Sequence, residues 1–229
     1  MIEAFRLGVF TRGKTLWDGL DFAFEDGSAT VIVGPPSCGK TLLLSILSGD
    51  RRPDAGDVLV SGESLYRGAG SAARVFRASS GCVHERLVED ENLTVNGLFA
   101  RSAMMCVGIS MEDRKARRDR LLSMVGLPGS EDVRLSALSA SERARVALAS
   151  ELLRNPKVLF ADGVALAAGS PHVEMLGALY RALAGAGNTI VSTERKLPRE
   201  WAAFAGQGEP VGPFLVHRLP AIALKGGSI

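Results

Sequence analysis

Eight consecutive residues, Gly34-Pro35-Pro36-Ser37-Cys38-Gly39-Lys40-Thr41, carry the strongest chemical signal in the chain, because they fit the pattern G-x-x-x-x-G-K-[ST]. A loop of this kind binds phosphate. Small residues let backbone N–H groups close around an anion, and a helix starting at the loop adds positive potential. Lys40 then reaches the outer phosphates, and the Thr41 hydroxyl is a magnesium ligand. A glycine-rich turn with an exposed lysine is the plainer reading. The surrounding pattern argues against it: the β-branched run Ala29 to Val33 leads into the loop, and leucines at helical spacing follow from Lys40 to Gly49. Two positions depart from common loops of this type. Ser37 stands where glycine is usual, and Leu42 follows Thr41 where a second hydroxyl is common. One lost hydrogen bond costs roughly 1 kcal/mol, so affinity falls severalfold without vanishing.

Val158 to Ala161 is an apolar run, read as a buried strand, that ends at Asp162. It follows a helix, Glu142 to Leu153, that Asn155 and Pro156 stop. A further helix near His172 to Ala184 and a strand from Thr189 to Ser192 continue the alternation. Strands alternating with helices predict an α/β fold with a mostly parallel sheet covered on both faces. The start differs: apolar runs at Ala4 to Phe10 and Leu20 to Phe24 flank the turn-prone Arg12 to Lys14 and predict an antiparallel β portion. Asp57 to Val60 reads as another strand, and Arg74 to His84 is expected to hold one more. From Asn92 to Gly126 apolar residues recur at helical spacing, predicting a small helical subdomain. The glycines and prolines after Trp201 suggest loops, and there is no internal repeat.

In this order and spacing the chain resembles the nucleotide-binding domains of ATP-binding cassette (ABC) transporters over nearly its whole length. The resemblance implies a single P-loop NTPase domain with a RecA-like core at about 1–85 and 138–229 and a helical subdomain at about 86–137. It implies ATP and Mg2+ as cofactors, with Thr41, Glu85 and Asp162 on the metal; Glu85 takes the place of the family's glutamine. Phe10 falls where the family stacks an aromatic on adenine, although a core phenylalanine reads equally well there. Leu138-Ser139-Ala140-Ser141-Glu142 resembles the signature that touches nucleotide across a dimer, with both glycines replaced, by Ala140 and Ser141. Read alone, it is a helix cap built on Ser139 or Ser141.

The family's catalytic glutamate after the second strand is Gly163 here, and its inter-subunit aspartate falls at Gly169. The γ-phosphate-sensing histidine is replaced by Glu194 or Arg195, of which only Arg195 carries a charge suited to phosphate. These changes fall on hydrolysis and trans contact, whereas Lys40, Thr41 and Asp162 are kept. Loss of a general base costs about 100-fold to 10,000-fold in rate, so ATP binding without efficient turnover is expected. The resemblance also implies a transmembrane permease subunit and a second nucleotide-binding domain as partners. A nucleotide-independent scaffold and a soluble ATP sensor are the alternatives.

Composition agrees with this picture. With 229 residues, 46% of them hydrophobic, the chain has enough apolar surface for an ordinary core. Acids (25) and bases (27) nearly balance, which speaks against a protein that coats nucleic acid. Cys38, Cys82 and Cys106 form no disulfide or metal-ligand spacing. Met1 to Leu20 lacks the apolar stretch of a secretion signal, and no segment approaches the roughly 20 apolar residues that span a bilayer. The expected location is cytoplasmic, peripheral on a membrane. His84, His172 and His217 read as surface or packing residues.

Overall fold

The computed structural model describes residues 1–11, 14–67, 71–84, 92–104, 110–202 and 214–219. The chain opens with an antiparallel pair, β1 (Ile2–Thr11) and β2 (Lys14–Phe24), in which Ile2 faces Phe24 and Phe10 faces Thr15. Then come β3 (Ala29–Val33), α1 (Lys40–Leu47), β4 (Ala55–Val60), β5 (Glu63–Ser64), α2 (Ser71–Ser79) and β6 (Ser80–Val83). Next are α3 (Val95–Ala103), α4 (Met111–Met124), α5 (Ala140–Leu152), β7 (Val158–Asp162) and α6 (Val164–Ala168). The last elements are α7 (Ser170–Gly185), β8 (Thr189–Glu194), α8 (Arg199–Ala202) and β9 (Phe214–Arg218).

Two sheets result. One is antiparallel with order β2-β1-β4-β5; the other is parallel with order β6-β7-β8-β3-β9. Each parallel strand places alternate residues on opposite sides, as a two-residue period requires. Val31, Leu159 and Ile190 enter the core shared with α3 to α7, while Ile32, Phe160 and Val191 enter the core shared with α1, α2 and the antiparallel sheet. Both faces of the parallel sheet are therefore buried, which is why its strands read as continuous apolar runs.

Local signals set the helix starts. Thr94 accepts a hydrogen bond from Gly97 N (3.1 Å) to cap α3, and Ser110 accepts one from Asp113 N (3.0 Å) to cap α4. Ser139, rather than Ser141, caps α5 through a reciprocal box: Glu142 N donates to its Oγ (3.2 Å) and Ser139 N donates to Glu142 Oε2 (2.8 Å). Those donors hold the Glu142 carboxyl below its usual range.

The strand expected within Arg74 to His84 is β6, Ser80–Val83; it is preceded by α2, in which Ala73 and Phe76 bury one face at helical spacing. One expectation is corrected. The stretch after Trp201 contains a strand as well as its glycines and prolines: β9 pairs in parallel with β3, with Val31 opposite Val216. Among the described residues no helix is long and apolar enough to cross a membrane.

Candidate functional site

The phosphate loop bridges β3 and α1 as its sequence predicts. Gly39 sits at φ +92°, where a Cβ would lie 2.3 Å from Trp17 Cζ2, so both backbone conformation and space demand glycine. Trp17 also donates from Nε1 to Cys38 O (2.8 Å), pinning the loop to the β1–β2 hairpin. Gly34 is needed for a different reason: a Cβ there would lie 2.6 Å from Cys38 Sγ. Cys38 itself is buried at 1% exposure, shielded from bulky thiol reagents. Ser37, the substituted glycine, holds φ +62°, a conformation that costs a side-chain-bearing residue roughly 1–2 kcal/mol. Pro35, Pro36 and Ser37 are exposed on the loop's outer side, and Leu42 is partly buried on α1.

Lys40 Nζ donates to Gly34 O (2.7 Å) and Pro35 O (2.8 Å), so its ammonium lies within the loop's curve. Across from it, Asp162 ends β7 and is 4% exposed. Thr41 Oγ1 donates to Asp162 Oδ2 (2.5 Å), and Thr193 Oγ1 donates to Asp162 Oδ1 (2.5 Å). A carboxylate and a hydroxyl thus converge as hard oxygen donors, the donor set that Mg2+ prefers. Bound there with nucleotide, Mg2+ would neutralise phosphate charge; Thr41 and Asp162 would hold it. Glu85, the third expected ligand, lies outside the described residues.

The opposite wall differs. Gly163 has φ +64° and begins α6 without any side chain to cap it. Glu194, at the end of β8, fills that role from a distance: Ala165 N donates to Oε1 (2.8 Å) and Leu166 N to Oε2 (3.3 Å). Its carboxylate is 2% exposed and, with burial as the larger cause, raises the phenol pKa of the fully buried Tyr180. Arg195, the other residue proposed for the sensing position, is exposed at the rim. Lys40, Thr41, Asp162, Gly163, Glu194 and Arg195 all line one cavity of about 360 Å³.

The remaining expected contacts lie apart from this cavity. Phe10 is 48% exposed on the hairpin and donates its N–H to Asp54 Oδ2 (2.8 Å), so it is a surface aromatic rather than a core one. Ser139 and Ala140 are exposed at the start of α5, and Ser141 Oγ donates to Ala168 O. Gly169 has φ +80°, and a Cβ there would meet only Pro171 Cδ, at 3.9 Å. His172 bonds Ala168 O (3.2 Å), and His217 packs edge-on against Phe22 (5.4 Å) and Phe24.

Sequence reasoning missed Trp17 and Thr193. Trp17 is legible only once β1 and β2 are paired, since its place opposite Val9 and over Gly39 is a tertiary fact. Thr193 had a signal in its position next to the strand end, level with Asp162 in the parallel register.

Comparison with known proteins agrees with this geometry. Residues 17–165 match the model of the ABC transporter family. The chain belongs to that family. It is 33% identical over 150 residues to the methionine import ATP-binding protein MetN of Geobacillus kaustophilus, covering 65% of this chain and 43% of that one. It is 38% identical over 152 residues to the Fe(3+) ions import ATP-binding protein FbpC 3 of Rhodococcus jostii, covering 66% and 42%. The chain therefore spans less than half the length of these curated relatives. The Nod factor export ATP-binding protein I of Paraburkholderia xenovorans is 34% identical over 187 residues, covering 79% and 58%. A dimeric bacterial ABC transporter cassette superposes with a TM-score of 0.80 at 21% identity, covering 95% of this chain and 94% of that one. The ABC cassette form of the P-loop NTPase fold is thereby established.

Proposed function

We propose that this chain is an ATP-binding subunit of a membrane transport or membrane-remodelling complex that holds Mg-ATP with little or no hydrolysis. The observation that carries the reading is the contrast within one cavity. Lys40, Thr41 and Asp162 are arranged for phosphate and magnesium, yet no carboxylate follows Asp162, because Gly163 has no side chain. Glu194 is a poor replacement base, since it is buried and its carboxylate is turned to the start of α6, accepting from Ala165 N and Leu166 N. A base needs a free lone pair within reach of the attacking water.

Relatives named as import and export ATP-binding proteins support a transport role, and the dimeric cassette supports pairing with a second nucleotide-binding domain. The helical subdomain at about 86–137 is the face we assign to a transmembrane permease subunit. Ser139, Ala140 and Ser141 would meet nucleotide held by the second domain, and Phe10 would lie against adenine. A subunit of this kind works at the cytoplasmic face of the membrane. Closure driven by ATP binding alone transmits a signal whenever ATP prefers the closed state.

Glu194 favours a second reading, a nucleotide-independent scaffold. A buried carboxylate lining the same cavity as Lys40 opposes the approach of a polyphosphate. Calorimetric titration of the chain with Mg-ATP, beside Lys40→Ala and with phosphate release followed on the same samples, separates these readings. Lys40-dependent binding without release is expected. Absence of binding selects the scaffold, and Lys40-dependent turnover defeats the claim of lost hydrolysis.

A further inference from the structure

The last residues of β6 alternate in a way the nucleotide site does not use. Val83 is 1% exposed and points into the core, so Cys82 and His84 share the other side. Their ligating atoms are 3.3 Å apart, Cys82 Sγ to His84 Nε2. Asp50, just past the end of α1, completes the group: one atom from each of Asp50, Cys82 and His84 lies within 4.8 Å of the others. We propose that Asp50, Cys82 and His84 form a binding site for a divalent transition ion of the zinc class, with a fourth position left to water.

Three observations support it. First, the spacing suits the ion: with Zn–S near 2.3 Å and Zn–N near 2.0–2.1 Å, tetrahedral ligands stand about 3.5 Å apart. Second, Asp50 is oriented before any ion arrives. Its N donates to Ser45 O (2.9 Å), Ser48 Oγ donates to its Oδ2 (2.9 Å), and Arg77 Nη1 lies 3.5 Å from its Oδ1. Such outer contacts are the usual means of fixing a ligand. Third, acidic side chains gather around the group: Asp50 belongs to it, and Glu151 Oε2 accepts from Cys82 N (3.3 Å), so the local field attracts a dication. Arg77 and Arg154 offset part of that field, through Asp50 and Glu151 respectively. Thiolate, imidazole and carboxylate together match zinc better than magnesium or calcium, which take oxygen donors.

The place of the site gives it consequence. Cys82 pairs with Phe160 on β7, two residues before Asp162, and Asp50 follows the helix that starts at the phosphate loop. An ion here would tie α1 to β6 beside the nucleotide cavity.

Cobalt titration of the full chain without nucleotide is the test, because a thiolate-to-cobalt charge-transfer band requires sulfur and cannot arise at Thr41 and Asp162. The expected result is one Co2+ per chain, with the band displaced by Zn2+. It should persist in Cys38→Ser and Cys106→Ser and disappear in Cys82→Ser. Losing an outer partner alone costs about 10–100-fold in affinity, so Asp50→Ala and His84→Ala should each weaken Co2+ binding about tenfold or more. Circular dichroism confirms that each variant is folded; His84→Ala keeps the thiol and tests the site if Cys82→Ser is unstable. Absence of the band in the unsubstituted chain overturns the proposal, as does affinity unchanged in folded His84→Ala and Asp50→Ala.

Discussion

The two walls of the nucleotide cavity are built on different logic. The wall from β3, α1 and β7 combines a contiguous loop, whose glycines are demanded by φ and by contact, with an acid at the end of β7 whose oxygens accept from Thr41 and from Thr193 on β8. The wall from α6 and β8 is made by exchange. The side chain missing at Gly163 leaves a helix start uncapped, and the carboxylate of Glu194 crosses from the neighbouring strand to cap it. One wall carries Lys40, Thr41 and Asp162, which we assign to phosphate and magnesium. The other has turned its acid from solvent toward its own backbone.

The contrast can be broken most forcefully by supplying a carboxylate where Gly163 has none. Gly163→Glu combined with Glu194→His should raise phosphate release about 100-fold to 10,000-fold, the usual worth of a general base. The left-handed backbone at position 163 should cost this variant roughly 1–2 kcal/mol of stability, read from chemical denaturation. Release that stays flat would count against the role proposed for this wall.

The other wall should fail by collision. Gly39→Ala forces a methyl group into the Trp17 indole at a left-handed position, and we expect a loss of about 2–5 kcal/mol from strain and overpacking together. Trp17→Leu in the same background should recover the overpacking part; no recovery would mean that the backbone conformation alone is responsible. Lys40→Ala removes a charge without disturbing the sheet. Mg-ATP affinity should fall about tenfold to 100-fold, as expected for charge-assisted hydrogen bonds of roughly 1.5–3 kcal/mol, while the melting temperature changes little.

The smallest effect lies outside both walls and serves as a control. Burial against Phe22 and Phe24 pushes His217 below its ordinary value of 6.5. The unfolded chain therefore binds the proton more readily than the folded one. The contribution is complete above pH 6.5 and is lost as pH falls from there through the folded value. His217→Phe should flatten this part of the stability profile, measured by denaturation between pH 7 and pH 5, without altering Mg-ATP affinity.

Much of this arrangement was legible in the sequence because the relevant physics is local. A phosphate loop needs contiguous residues, and β7 announces itself as an apolar run closed by Asp162 and preceded by Pro156. The antiparallel opening was legible from two runs flanking a turn. What escaped was set by distant partners. Nothing near Glu194 shows that its carboxylate caps α6, because the acceptor and donors are 29 and 28 residues apart. β9 was hidden by Pro213 and Pro220, although Phe214 to Arg218 needs only one neighbour, β3, to become a strand. The helix α2 ahead of β6 was not legible, because its buried stripe is only Ala73 and Phe76 wide, too narrow for periodicity to declare itself.

The hydroxyl of Ser141 gives the signature segment a property that glycine there would deny it. By bonding Ala168 O it fastens the first turn of α5 to the end of α6, and Gly169 and α7 continue directly from that anchor. The segment that would face a second cassette and the turn that would face its neighbour are thereby coupled like two leaves of one bracket. A segment fastened in this way presents a preset surface at the start of α5.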